Sequence, residues 1–167
     1  GMKIPEALNG EIPDYMHISL KGRNAVYRSE LLMLEILSGC NWERPVYIAA
    51  SVGADGRFCF ENNLCQEGLL MRITPFDTTA LGSRIDTEKS YNYMVNKFKW
   101  GGIENPDVYM DETARRMYIA GRMYYINLAD ELLKAGKPDK ALHTLEHCKR
   151  VIPHKSIPYE FQGKAYK

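Results

Sequence analysis

The chain has 167 residues, of which 45% are hydrophobic, and its 22 basic and 21 acidic residues leave a net charge of +1. This length and this apolar fraction predict one folded domain, or one domain with an appendage, and exclude a largely disordered protein. The balanced charge excludes the basic footprint of a nucleic-acid-binding domain, so no nucleic-acid partner is expected.

The N-terminal third predicts an irregular lead-in, then a short strand and a helix. The first 16 residues are interrupted by Pro and Gly. Residues 16–20 alternate enough for a strand. Ser29 is a plausible N-cap for a helix through Leu37, and this helix is apolar on most sides, so we expect it to be buried.

The middle of the chain predicts more β structure. Residues 46–50 form a continuous apolar run between turn signals, which is typical of a central strand. Residues 60–66 predict one short helix, and residues 69–73 predict a further strand. Residues 76–85 predict a loop.

From residue 86 onward the pattern is helical. Asp86 and Thr87 predict the start of a helix through Phe98, and Asp111 or Thr113 predicts the start of a longer one. Helices are expected over 111–135 and 138–151.

The order of the elements predicts an α+β fold: a small mixed sheet with helices, followed by an α-helical C-terminal half. We expect an α+β region over 1–105 and a helical region over 106–167, packed as one unit.

Residues 122–153 have the spacing of a close helical hairpin. Small residues, Ala129 and Ala141, stand where two helices would cross, and Pro153 ends the second helix. The segment resembles a tetratricopeptide repeat at nearly every diagnostic position, here Tyr125, Leu128, Ala129, Leu132, Gly136, Ala141, Leu145, Cys148 and Pro153.

The repeat register continues for about half a period. Tyr159, Gly163 and Tyr166 predict a capping helix over 156–166, although Gln162 fits weakly. An array normally needs about three repeats to bury its own core. We therefore expect that the hairpin packs against the N-terminal part of the chain, or that the chain is a fragment of a longer protein.

The tetratricopeptide resemblance implies a surface for protein contacts. The positions that line the concave side of such repeats are Met123, Ile126, Asp130, Leu133 and Lys134. The alternative is that these residues pack against the α+β part. We expect a protein partner of unknown identity and no cofactor.

Candidate chemistry is sparse. His143 and His147 stand one helical turn apart and could share a metal, but Thr144 follows the first where a metalloprotease helix needs Glu. We predict solvated histidines, no metal and no catalytic residue. Cys59 and Cys65 are either thiols or, in an oxidising compartment, a disulfide.

A ligand site is the competing hypothesis. Arg44, next to Trp42, either clamps a carboxylate or fixes the helix-to-strand corner. Trp100, Lys97 and Lys99 form a small basic and aromatic patch. This patch either contacts a glycan or a lipid headgroup, or it is simply the solvated end of a helix. These residues would serve a carbohydrate-binding or enzymatic domain with a pocket between the α+β part and the helices.

Most of the chain also resembles a known family. The runs 28–47, 61–69, 72–75, 96–102 and 106–111 are similar, in this order, to the C-terminal soluble tail of large bacterial multi-pass membrane proteins related to protein O-mannosyltransferases. This resemblance implies membrane helices upstream, which would tie the tail to the membrane and perform any sugar transfer. It implies that the tail lies on the periplasmic side of the inner membrane. It carries over no catalytic residue.

Overall fold

The computed structural model describes residues 13–18, 20, 24–49, 51–57, 59–81 and 83–159. They form two compact units. Unit 1 consists of the described residues up to Gln66 together with Leu70–Arg84. Unit 2 consists of Glu67–Leu69 and the chain from Ile85 onward. The division at residue 105 stays a prediction.

Unit 1 begins with helix α1, Arg28–Cys40. The carboxylate of Glu30 accepts a hydrogen bond from the backbone N–H of Tyr27 at 2.8 Å, which satisfies a donor that the helix leaves unpaired. The helix ends at Asn41, whose φ of 42° is left-handed. The predicted N-cap, Ser29, therefore lies inside the helix.

The expected burial of α1 is wrong. Leu37 is buried, but three other large apolar side chains of the helix remain about half exposed, namely Leu31, Leu32 and Ile36. Only one stripe of the helix packs against the hydrophobic cluster of unit 1, which contains Leu37, Ile48, Phe60, Leu64 and Ile73. A helix buries the face that has a partner, whatever the composition of its other faces.

The described residues contain three short strands, β1 (Tyr47–Ala49), β2 (Leu64–Glu67) and β3 (Leu70–Ile73), which lie in unit 1 except for Glu67. They form one antiparallel sheet in the order β1-β3-β2, with Ile48 opposite Met71. The α+β class is confirmed. The central strand is β3, so the prediction that residues 46–50 form the central strand is wrong. Consistent with its edge position, β1 buries only Ile48.

Two further local predictions are wrong. Residues 60–66 are not one helix: a 3₁₀ turn, Glu61–Asn63, leads directly into β2. Contacts distant in sequence hold this segment extended, since Asn63 donates its side-chain amide to the carbonyl of Phe76 and Gln66 donates its N–H to the carbonyl of Arg84. The strand predicted over 16–20 is absent from its described residues.

Within its described residues, unit 2 contains three α-helices, α2 (Thr87–Tyr91), α3 (Glu112–Lys134) and α4 (Pro138–Val151). Asp86 caps α2 as predicted by accepting the N–H of Lys89 at 3.0 Å, and a π-helical turn, Asn92–Lys97, extends that helix. The tip between β2 and β3 belongs to this unit. There Gly68, with a φ of 72°, donates its N–H to the Ser90 hydroxyl at 2.9 Å.

Helices α3 and α4 form a hairpin with the spans that the sequence predicts. Asp111 caps α3 by accepting the N–H of Ala114 at 2.7 Å. Gly136, with a φ of 70°, allows the tight turn, and Pro138 opens α4, where its missing N–H costs nothing. Ala129 and Ala141 are both buried. The tetratricopeptide resemblance itself stays a prediction.

The capping helix predicted over 156–166 lies largely outside the described residues, because the description ends at Tyr159. No helix within the described ranges is long and apolar enough to cross a bilayer.

Candidate functional site

Helix α3 has a core face and an outer face. Tyr125, Leu128 and Leu132 are fully buried and pack in the hydrophobic cluster of unit 2 with Met94, Trp100, Ile103, Ala129, Ala141, Cys148, Ile152 and Ile157. The outer face carries the residues that the sequence predicts for partner binding.

This outer face, Met123, Ile126, Asp130, Leu133 and Lys134, is hereafter the contact stripe. Leu133 is 55% exposed and Met123 is 36% exposed, while Ile126 is half-buried. Lys134 forms ion pairs at 2.8 Å with Asp130 and with Glu131. The hydrogen bonds that Lys134 donates to these two carboxylates, first to Asp130 and then to Glu131, raise the pKa of Lys134. The stripe thus joins large exposed apolar side chains to a polar cluster near the C-terminal end of the helix.

A buried polar network lies on the core side of the hairpin. The hydroxyl of Tyr125 donates to the carbonyl of Met94 at 2.6 Å and accepts from the indole nitrogen of Trp100 at 3.1 Å. It is also 3.1 Å from Nδ1 of His147 on α4. Burial raises the pKa of Tyr125 far above its usual range, so the phenol stays protonated.

The two histidines of α4 have different surroundings. His143 is exposed, and its Nδ1 is 2.7 Å from the hydroxyl of Tyr91. His147 is buried, against the expectation of a solvated side chain, because it faces Tyr125 and not solvent. Burial lowers the pKa of His147 and raises that of the neighbouring Cys148 thiol to about 11. Such a thiol is a poor nucleophile at neutral pH.

The same region of unit 2 contains a cationic cavity. It has a volume of about 220 Å³. Its lining includes Arg122 and Lys149 and the side chains Ile126, Leu145, Cys148, Ile152 and Tyr159. Arg122 is only 3% exposed, and the ring of Tyr159 lies 4.6 Å from its guanidinium carbon. No site prediction from the sequence included Arg122. The sequence did contain a signal for it: Arg122 is a charged residue on the otherwise apolar helix face that contains Tyr125 and Leu132.

The predicted ligand residues are placed as follows. Trp42 is half-buried against the cluster of unit 1, with a left-handed φ of 59°, and Arg44 is exposed. Trp100 belongs to the core of unit 2, where it packs against Tyr118 and Tyr125. Its indole N–H is already bonded, so Trp100 offers a ligand little surface.

Unit 1 has a wider cavity of about 690 Å³ beside the start of α1. Glu30 is its acidic lining residue, and one carboxylate oxygen of Glu30 is committed to the N–H of Tyr27. Within the described residues, no three His, Cys, Asp or Glu side chains gather as a metal site would require.

The family model of TMEM260-associated domain 2 matches residues 2–89, more than half of the chain. The chain belongs to this family. TMEM260-associated domain 2 fits a C-terminal domain of a TMEM260-like membrane protein related to the O-mannosyltransferases. This agrees with the resemblance to the tail of O-mannosyltransferase-related membrane proteins, whereas the bacterial origin stays a prediction. No curated protein and no solved structure matches the chain.

Proposed function

We propose that this chain is a non-catalytic contact domain. It is the soluble tail of a bacterial membrane-bound, glycosyltransferase-like protein, it lies on the periplasmic side of the inner membrane, and it binds a protein partner. Membership of a membrane-protein family supports the proposal that the chain is the tail of a membrane-bound protein. The contact stripe supports the proposal that the chain binds a protein partner.

The observation that carries the contact role is the exposure of large apolar side chains on both helices of the hairpin. Leu133 and Met123 on α3, and Leu142 and Leu145 on α4, are each 36–59% exposed. Single exposed apolar residues are common, but several on one helical hairpin favour an interaction surface. Asp130 and Lys134 add a charged edge, which is typical of the polar rim around an interface.

Site-specific photocrosslinking in the intact membrane protein tests this role. A photoreactive amino acid at Leu133 should give one discrete crosslinked protein, and Met123→Asp in the same chain should remove it. The matched control is the same probe at Tyr109, which is 89% exposed but lies before α3 and outside the stripe. Equal crosslinking from both sites, or none from Leu133, would contradict the contact role.

The carbohydrate-binding alternative predicts a different outcome. Titration of mannosyl oligosaccharides into the purified chain should give no saturable heat of binding. Saturable binding that Arg44→Ala abolishes would replace the contact role with carbohydrate recognition.

The compartment is tested separately. In spheroplasts of a bacterial host that expresses the intact membrane protein, external protease should degrade the tail while a cytoplasmic marker stays intact. A tail that becomes sensitive only after detergent treatment would place it on the cytoplasmic side.

A further inference from the structure

Arg122 is a buried cation whose hydrogen bonds are incomplete. Its Nε and Nη2 donate to the carbonyl of Ile152 at 3.3 and 2.9 Å, and Nη2 also donates to the carbonyls of Pro153 and Ile157. These bonds hold the segment that follows α4 against α3. The remaining nitrogen, Nη1, is shielded from solvent and has no hydrogen-bond partner among the residues that the structure describes.

The charge of Arg122 also lacks a described counter-ion. Among the described residues its neighbours are backbone carbonyls, the Tyr159 ring and the Cys148 thiol, and no carboxylate pairs with it. Burial lowers the pKa of Arg122, which reflects the cost of keeping this charge away from water. An unpaired buried donor on a charged group is costly unless an acceptor reaches it.

The cavity beside this guanidinium has the chemistry of an anion site with apolar walls. Arg122 and the exposed Lys149 supply two positive charges, and no described acidic side chain lines the cavity. Ile126, Leu145 and Ile152 supply the apolar wall. Its volume of about 220 Å³ is below the roughly 300–1,000 Å³ of drug-sized ligand sites, so it suits one small acid or one residue at a chain end.

We propose that this cavity binds a carboxylate carried on an apolar group, with the guanidinium of Arg122 as the buried cation and Lys149 as the outer cation. A carboxylate matches the guanidinium fork better than a neutral acceptor does, and the shielded position strengthens the charge pairing. The inference stands on Arg122 and does not depend on the proposed contact role of α3.

Calorimetric titration with three probes tests the site and distinguishes two sources of the carboxylate. The probes are an acetylated tripeptide that ends in Leu with a free carboxylate, the same peptide with a C-terminal amide, and hexanoate. The free-acid peptide should bind about tenfold or more tightly than the amide, because the amide loses the charge-assisted bond. Binding of hexanoate as tight as that of the free peptide would assign the site to small carboxylic acids, and binding of the peptide alone would assign it to chain ends.

Variants locate the binding. Lys149→Gln should weaken the free-acid peptide several-fold, whereas Arg150→Gln, which removes the same charge from a neighbouring residue that does not line the cavity, should leave its affinity unchanged. Arg122→Lys should abolish binding, and its melting temperature shows whether the chain still folds.

The wild-type chain provides a readout that needs no variant. In spectra of the chain labelled with [15N]arginine, the Nη1 resonance of Arg122 should shift on addition of the free-acid peptide and stay in place with the amide. If neither acid binds and this resonance does not move, the proposal is overturned. It is also overturned if acids bind only after Glu160→Gln, since that residue, which follows Tyr159, would then be the natural occupant.

Discussion

The hydroxyl of Tyr125 lies 3.1 Å from Nδ1 of His147, and this contact fixes which ring nitrogen carries the proton. The hydroxyl gives its one proton to the carbonyl of Met94, so towards His147 it can only accept. Nδ1 of His147 is therefore the donor in this contact, so it carries the proton when the ring is neutral. The second lone pair of the hydroxyl accepts the indole N–H of Trp100, which completes the network.

We expect the free energy of unfolding to fall as the pH drops below about 6.5. Burial, then Arg150 and His143, lower the pKa of His147 in the folded chain from its ordinary 6.5. The unfolded chain therefore binds this proton first. The stabilisation is fully present above that ordinary value and is lost as the pH falls through the lower, folded-state value.

Urea midpoints at about pH 7.5 and about pH 5.5 measure this effect. His147→Gln should reduce the difference between the two urea midpoints. His17→Gln, a change at an exposed position, should leave that difference unchanged. An unchanged slope in His147→Gln would show that the contribution comes from another group.

Tyr125→Phe should destabilise the chain by about 1–3 kcal/mol. The change keeps the ring but leaves the Trp100 N–H, the Met94 carbonyl and Nδ1 of His147 without their shared partner. Urea unfolding measures the loss, with Tyr109→Phe on the surface as the matched control. Equal midpoints for the two variants would mean that water replaces the hydroxyl in the core.

Gly121→Ala should destabilise the chain by about 1–3 kcal/mol through overpacking. A Cβ at this position would lie 2.7 Å from the ring of Trp100, which is buried and has little room to move. Gly39→Ala in α1 is the control, because a Cβ there meets nothing within 4 Å. The control should instead stabilise by about 0.5–1 kcal/mol. Thermal melts that shift in the same direction for both variants would refute this contrast.

Glu88 should titrate well below an ordinary glutamate. Its carboxylate is 2.8 Å from Nζ of Lys137 and from Nζ of Lys140, and hydrogen bonds from these two lysines lower its pKa from 4.5 to about 2. The stabilisation is present above 4.5 and is lost as the pH falls towards the folded-state value. Because Glu88 is 57% exposed, Glu88→Gln should cost at most about 1 kcal/mol.

Carbon-13 NMR of the Glu88 carboxyl group measures its pKa directly, and the effect of Glu88→Gln should shrink in high salt. Glu146→Gln on the surface of α4 provides the comparison. A carboxyl that titrates near 4.5 would show that the two lysines do not hold it in solution.

The sequence was most informative where local chemistry decides the structure. Asp111, Gly136 and Pro138 mark the ends of α3 and α4, and each acts through its own backbone or the next turn. The α+β class followed from the order of such signals. These features needed no knowledge of distant partners.

The remaining features depend on contacts that sequence spacing does not reveal. Leu64–Glu67 is a strand because distant carbonyls and side chains hold it there, although its residues do not favour one. His147 is buried because Tyr125 faces it across the hairpin. Arg122 was overlooked because its acceptors lie 30–35 residues away in the chain, so only the folded path beyond α4 brings them together.

The tip at Glu67–Leu69 has a consequence for how this fold can be divided. The strands on both sides of it belong to unit 1, whereas the tip belongs to unit 2, where Ser90 and Lys89 bind it. The backbone therefore passes from one unit to the other three times. A fragment trimmed to the family boundary at residue 89 would lose the Ser90 hydroxyl and the whole α3–α4 hairpin. Neither unit is one continuous stretch of sequence, so no single cut in the gene separates the two units intact.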